Sequence, residues 1–384
     1  MKELYSVLPP FAPDYSGVAS VFFGLGGSIV INGADGCIGN VTGYDEPRFY
    51  RSDEMIFSTG LREIHAITGD EKFILDRLKK ENPKYVVLLS TPTSAIIGTD
   101  HKALSDTIEE KMGIPAYDFS TTGMNTYEKG ASKALLTIAK KMLKPVDYKK
   151  NRSINIIGMI PLDYWNEPQL RCIEDIFKRR DIEINSCWTM GGSLKDIESS
   201  LKAQCNLVVS VAGIEAARYM KAKYDIDYVI GVPFGGPYEE WIVNKLLKGD
   251  DEYSYSKELV KKSSKKGRIL IIGDQIWANS LREAIELEYN VEVVKVVSLF
   301  KMYSKLKRKC DRFIQSEEEL ESEMNENFYD LIIGDPIFKT FISEINNIEY
   351  CDVPHLAVSS RIHWDHNIYY IGEEGMDRIR KILD

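Results

Sequence analysis

The chain lacks several features that would narrow its class at once. No run approaches the roughly 18 consecutive apolar residues that a membrane helix needs, so no membrane association is expected. Met1-Lys2-Glu3-Leu4-Tyr5 shows no basic stretch leading into a long apolar one, which predicts no secretory signal and a cytoplasmic protein. No GxxxxGK[ST] loop occurs, and Gly24-Leu25-Gly26-Gly27 lacks the GxGxxG spacing before a helix; no intrinsic nucleotide site is expected. There is no basic excess either. Lys and Arg number 49 against 58 Asp and Glu, a net charge of −9, the wrong sign for a nucleic-acid binder. The six cysteines, at positions 37, 172, 187, 205, 310 and 351, form no CxxC pair, and no Cys/His spacing matches a zinc site. Such scattered thiols read as free and mostly buried.

What remains is an ordinary globular composition, 384 residues with 44% hydrophobic and 28% charged, long enough for two or three domains. One grammar recurs: a short apolar run, a Gly-rich or polar turn, then an amphipathic helix. The runs include Tyr85–Leu89, Ile154–Gly158, Leu207–Val211, Arg268–Gly273, Val291–Val297 and Leu331–Gly334. Continuous rather than alternating apolar runs fit parallel strands covered on both faces. Helices are expected over Gln169–Arg180, Lys195–Ala203 and Ser280–Leu287. Strands alternating with helices make βαβ units with right-handed crossovers. Linkers are read at Lys144–Arg152 and at Lys261–Gly267, a solvated charge run. The expected architecture is therefore α/β, with three Rossmann-like lobes of mostly parallel sheet around a central cleft, at 1–147, 148–264 and 265–384.

Three segments could carry chemistry. Gly33-Ala34-Asp35-Gly36-Cys37 reads as a strand running into a Gly-rich turn that presents Cys37. The absence of Cβ at Gly36 would let a bulky group approach the backbone. A thiolate there could ligate a metal or cluster; a buried structural cysteine in a tight turn is the competing reading. Gly231-Val232-Pro233-Phe234-Gly235-Gly236-Pro237 is a rigid loop before a helix from about Tyr238; it walls a pocket or simply ends a strand. Arg361-Ile362-His363-Trp364-Asp365-His366-Asn367 gathers two of the five histidines. His363 and His366 could shuttle protons or bind metal, or sit in a polar loop before the C-terminal helix.

The order of segments resembles the component 1 family of nitrogenase-like oxidoreductases across nearly the whole chain. Pro13–Val18 leads to Gly33–Cys37, which looks like the family's His-Gly-x-x-Gly-Cys turn, and Leu89–Asp100 is similar to the segment carrying the third cluster cysteine. Ile114–Gly123, Ile154–Gly158, Gly191–Ile197 with Ala203–Val209, and His363–Asp365 through Gly372–Gly375 follow in the family's order. The departures matter as well. Of the three cluster cysteines only Cys37 is matched. The first position falls near Pro13 or Asp14, and the third at Thr93. The cysteine and histidine that hold the nitrogenase active-site cofactor would fall near Ser210 and Ile371. The resemblance thus argues against a nitrogenase-type metal cofactor bound in the usual way.

The resemblance implies a subunit that accepts electrons from a separate ATP-dependent iron–sulfur reductase. It would reduce a small molecule or a tetrapyrrole-like substrate in an inter-lobe cleft. It also implies a [4Fe–4S] cluster at a subunit interface, with Cys37 and Asp14 as this chain's ligands, in a homodimer or next to a paralogous subunit. Strand-end residues Ser210, Gly191 and Gly192, with Gly36, would line cofactor or substrate, and His363 and His366 would deliver protons. A non-catalytic carrier, scaffold or small-molecule-binding protein of the same fold is the alternative.

Overall fold

The computed structural model describes residues 6–51, 55–61, 71–145, 151–165, 167–248, 261–326, 328–343, 348–364 and 367–384. It is a mixed α/β structure with three parallel sheets of four or five strands. The first has the order β2-β1-β3-β4, from β1 Ser28–Asn32, β2 Ile56–Ser58, β3 Val86–Ser90 and β4 Ala116–Phe119. The second has the order β6-β5-β7-β8, from β5 Asn151–Ile157, β6 Glu183–Cys187, β7 Ala203–Val208 and β8 Asp227–Ile230. β9 Lys262–Ser263 and β11 Tyr289–Asn290 pair by themselves, β9 lying inside the segment read as the second linker. The third large sheet runs β13-β12-β10-β14-β15: β10 Arg268–Ile272, β12 Val293–Ser298, β13 Arg312–Phe313, β14 Leu331–Gly334 and β15 Glu349–Asp352. Of the first expected linker, 146–150 lies outside the described residues, and Arg152 already belongs to β5.

The apolar runs form strands because both of their faces are covered. Along β3, Val87 and Leu89 join the main core, while Val86 and Leu88 join a second cluster with Val30, Phe57, Leu78 and Ile108. That split is the period of two expected of a strand. The main core is continuous through all three sheets. Two boundaries differ from the sequence reading for visible reasons. β7 begins at Ala203, earlier than expected, because the polar Asn206 inside it pairs its amide with Asn155 at 2.7 Å in the core. The helix expected to Ala203 stops at Glu198, where Ser199 turns its hydroxyl back to the Asp196 carbonyl, a local bond that competes with the helix.

Two helices of the first lobe set the rest. Helix α1, Asp14–Phe22, is buried along its length. The short helix α2, Asp35–Asn40, follows β1 and carries Cys37, so the cysteine lies on a helix where the sequence suggested a turn. Helix α3, Tyr127–Lys141, crosses α1 in backbone contact. A Cβ on Gly17 would stand 2.0 Å from the Tyr127 carbonyl oxygen, and one on Gly130 would stand 1.8 Å from the Asp14 carbonyl oxygen. Gly130→Ala is therefore expected to push α1 and α3 apart and to cost about 3 kcal/mol, read as a lower urea midpoint at unchanged m-value. A midpoint equal to the parent's would refute the contact.

Candidate functional site

In parallel α/β sheets ligands gather beyond the carboxyl ends of the strands. Two regions of this kind stand out here. The first lies beyond β1, β3 and β4. Cys37 is half-buried on α2, and Tyr15 of α1 lies within electrostatic reach of Cys37, Asp14 and Asp45. Burial pushes the Tyr15 phenol up to about 12, so it stays protonated, and it accepts from Asn40 Nδ2 at 2.9 Å. Cβ atoms built on Gly36, Gly39 and Gly43 would meet nothing within 4 Å. Ile96, 85% exposed, and Met124, 82% exposed, belong to the same lobe. Met124 follows Gly123, which packs on Pro92 at the start of the helix Pro92–Ile96.

Asp14, expected beside Cys37 as an oxygen ligand, is buried, and both of its carboxylate oxygens are engaged. Oδ1 accepts from the Gly123 N–H at 2.8 Å; Oδ2 accepts from the Thr122 N–H and from Asn125 Nδ2, each at 3.2 Å. It fastens the turn before α3 to the start of α1. Among the described residues no three His, Cys, Asp or Glu side chains converge as a metal site. A [4Fe–4S] cluster takes four ligands. The donors present do not fit a cluster held by this chain alone.

The second region is where the three lobes meet. Asp163 comes from the helix Pro161–Tyr164 after β5, and Asp274 follows β10 and caps helix α4, Gln275–Glu288. His355 follows β15, and Tyr127 opens α3. The Tyr127 hydroxyl donates to Asp163 Oδ1. His355 Nε2 lies 3.2 Å from that oxygen and 3.2 Å from the Tyr127 oxygen. With Tyr127 donating, both atoms facing Nε2 are acceptors, which assigns the ring proton to Nε2. The backbone N–H of His355 donates to Asp335 Oδ2 at 2.7 Å, and the Tyr370 hydroxyl donates to the backbone carbonyl of Asp163 at 3.2 Å. Asp274 accepts from the N–H groups of Ile276, Trp277 and, across the lobes, Val211. Burial, reinforced by the Asp163 charge, pushes the Asp274 carboxyl well up from its ordinary value. Asp163 Oδ2 is buried with no hydrogen-bond partner. Between Asp163, Asp274, His355 and Trp277 remains a cavity of about 20 Å³, room for about one water.

Of the other residues singled out in sequence, Ser210 is fully buried and donates to the Gly158 carbonyl at 2.7 Å, closing the turn after β5. It precedes Val211 and so adjoins the junction. Gly191 and Gly192 line a separate open groove of about 770 Å³ along edge strand β6, with Cys187, Lys178 and Arg152. A Cβ on Gly192 would strike the Cys187 carbonyl oxygen at 1.9 Å. His363 ends a turn, Ser360–His363, that packs on the turn Val41–Asp45 continuing α2, where Ser360 Oγ donates to the Tyr44 carbonyl at 3.2 Å. His366 lies outside the described residues. The sequence reading missed Asp163, Asp274, His355 and Tyr127, which come from four separate segments. One signal was present: Ile272-Gly273-Asp274 and Ile333-Gly334-Asp335 both end an apolar strand in Gly-Asp.

Three parallel sheets sharing one core, with a polar junction at their strand ends, define a three-lobed α/β scaffold. Residues 13–246 match the family of nitrogenase component 1 type oxidoreductases, and the chain belongs to that family. It is 24% identical over 270 residues to a light-independent protochlorophyllide reductase chain of Crocosphaera subtropica, covering 61% of this chain and 53% of that protein. With the corresponding reductase chain of Chlorella vulgaris it shares 28% over 188 residues, 45% of this chain and 37% of that one. The chain thus spans about half the length, or less, of these relatives. A solved structure, nitrogenase Cp1 at pH 6.5, superposes over 100% of this chain and 93% of its own, with a TM-score of 0.72 at 15% identity, a likeness of fold. Among the described residues no helix is long and apolar enough to cross a membrane.

The buried carboxyls give a pH signature. Burial pushes Asp45 up to about 7, against the Ser16 hydrogen bond at 2.6 Å and with Glu46 adding to the rise. A carboxyl raised on folding holds its proton longer in the native state. Its stabilising share is whole below about pH 4 and is lost as the pH climbs toward 7. Asp45→Asn and Asp274→Asn should each flatten the fall in unfolding free energy across that window, Asp45→Asn by on the order of 4 kcal/mol. Parallel pH profiles for parent and variants would contradict the assignment.

Proposed function

We propose that this chain is one subunit of a component 1 type oxidoreductase that reduces a small molecule at the three-lobe junction. A separate ATP-dependent iron–sulfur reductase supplies the electrons. The observation that carries the reading is the pair of buried carboxylates, Asp163 and Asp274, neither of them paired with a Lys or Arg among the described residues, and with Asp163 Oδ2 unpartnered. Two acids placed together out of water destabilise the fold, and a carboxyl raised as Asp274 is belongs to a kind of group that gathers at functional sites. In this role Asp274, protonated near neutrality, and the Tyr127–Asp163–His355 hydrogen bonds supply protons to match incoming electrons. The substrate would be a small molecule or a tetrapyrrole-like compound, admitted when the lobes part around the present cavity of about 20 Å³.

The first region is proposed as the seam with a second chain, identical or paralogous. Three glycines open to solvent, with exposed Ile96 and Met124 on the same lobe, leave room for another backbone and apolar side chains to cover. A [4Fe–4S] cluster at this seam would take Cys37 from this chain and most of its ligands from a paralogous partner. The alternative, a carrier or scaffold without turnover, is favoured by the single thiol and the closed junction.

Anaerobic protein, alone and co-expressed with the paralogue, distinguishes these readings. The paired form is expected to carry iron and acid-labile sulfide that Cys37→Ala removes. Gly36→Leu should weaken pairing at least about tenfold and leave the unfolding midpoint within about 0.5 kcal/mol of the parent. Asp163→Asn should lower kcat about 100-fold or more. Iron-free protein in both forms, inert with the reductase, would leave the carrier reading standing.

A further inference from the structure

A second pocket, of about 280 Å³, opens between α3, the turn at Val211 and the loop after β12. It touches all three lobes and shares no lining residue with the junction cavity. We propose that it binds a small multivalent anion, a phosphate- or polycarboxylate-bearing molecule with closely spaced oxygens. The inference does not depend on the redox reading.

Lys129, Lys133 and Lys301 all line the pocket. Among the described residues none of them pairs with a carboxylate. Lys129 Nζ donates to Asn125 Oδ1 at 3.1 Å, while Lys301 Nζ donates to the Tyr303 hydroxyl at 3.2 Å and sits 4.4 Å from its ring centre. Three like charges around one cavity repel unless an anion lies between them. Their concentration is notable in a chain of net charge −9. The pocket also abuts the first turns of α3, a 15-residue helix whose positive end favours an anion.

The carboxylates nearby do not supply the missing charge. Glu215 holds the Tyr303 hydroxyl at 2.9 Å and is paired with Arg218 at 3.1 Å. Glu128, the one acid lining the pocket, is only 2% exposed. Its Oε1 accepts from Thr126 Oγ1 at 2.8 Å and from the Lys301 N–H at 3.3 Å. Its Oε2 is buried without a partner. Burial pushes this carboxyl up from its ordinary value, which lessens the repulsion a ligand oxygen meets there. Three lysines without a carboxylate partner, Ser132 and a buried acid line one cavity, with a volume just below the range usual for small-molecule pockets.

The test titrates the full chain calorimetrically with pyrophosphate and, separately, with citrate, each against sodium chloride of equal ionic strength. Saturable binding of pyrophosphate alone assigns a phosphate ligand, and of citrate alone a polycarboxylate; binding of both assigns the shared chemistry. Lys133→Ala and Lys301→Ala are each expected to weaken binding about tenfold, the effect of one charge-assisted hydrogen bond. Lys133→Glu should abolish it, and Lys79→Ala, outside the pocket, should change nothing. Unfolding midpoints equal to the parent's show that the variants fold. Neither anion binding above the chloride control, or unchanged affinity in folded Lys133→Glu, would overturn the proposal.

Discussion

The closeness of α1 and α3 governs the rest. Without Cβ atoms at Gly17 and Gly130 the two backbones touch at van der Waals distance or less from where side chains would begin. That contact fixes the height of α3, and α3 carries a different function on each successive residue. Tyr127 points into the junction to meet Asp163 and His355. Glu128 and Lys129 line the lysine pocket one step along. A helix set even 1 Å outward would break the Tyr127 hydrogen bonds, since bonds of this kind fade steeply beyond about 3.2 Å. Packing in this fold is therefore inseparable from the placement of its polar groups.

The treatment of buried charge differs by region, and the difference is informative. In the third lobe, Arg282 meets Asp311 at 2.6 Å with both side chains almost fully buried, and Glu323 takes Lys295 at 2.5 Å and Arg312 at 3.1 Å. Near the first two lobes' contact, Glu46 takes Arg48 at 2.6 Å, and the same guanidinium donates to the Ser20 carbonyl at 2.6 Å. Each of these acids has a cation at hand, one of the ways a buried charge is satisfied; Asp14 and Asp45 are satisfied by neutral donors instead. Among the described residues, neither Asp163 nor Asp274 pairs with a Lys or Arg. They are held by a phenol, an imidazole and backbone N–H groups. A junction built only for rigidity would be more stable with an Arg or an apolar pair in their place.

Much of the scaffold was legible in the sequence. β3, β10 and β14 show as unbroken apolar runs because both faces are covered, and the ordered segments between them pointed to the family. Short edge strands such as β2 and β13 left no signal, since three or two residues carry no period. The start of β7 was hidden because Asn206 looks like an interruption until Asn155 is seen opposite it. Asp14 reads in sequence as a free acid beside the cysteine segment, and only the fold reveals three donors closing on it. The junction was the least legible part. Its acids and histidine lie more than 80 residues apart in pairs such as Asp163–Asp274 and Asp274–His355, and no local pattern ties them together.

Asp14 also connects the regions. It heads α1, one residue before Tyr15, which feels the Cys37 charge. Its carboxylate grips Thr122, Gly123 and Asn125, and α3 begins two residues later at Tyr127. Asn125 in turn receives Lys129 at the mouth of the lysine pocket. From the face around Cys37 to the junction the path is a buried carboxylate, one tight turn and one helix, joined by the hydrogen bonds of Asp14. A second chain pressing on the open glycines of α2 would load Tyr15 and α1 directly. Because the α1–α3 contact is backbone on backbone, α3 would have to move with them as a unit, carrying the Tyr127 hydroxyl relative to Asp163 and His355. Under the proposed pairing, assembly at this face and geometry at the junction would be mechanically one problem, and that follows from where two glycines and one aspartate stand.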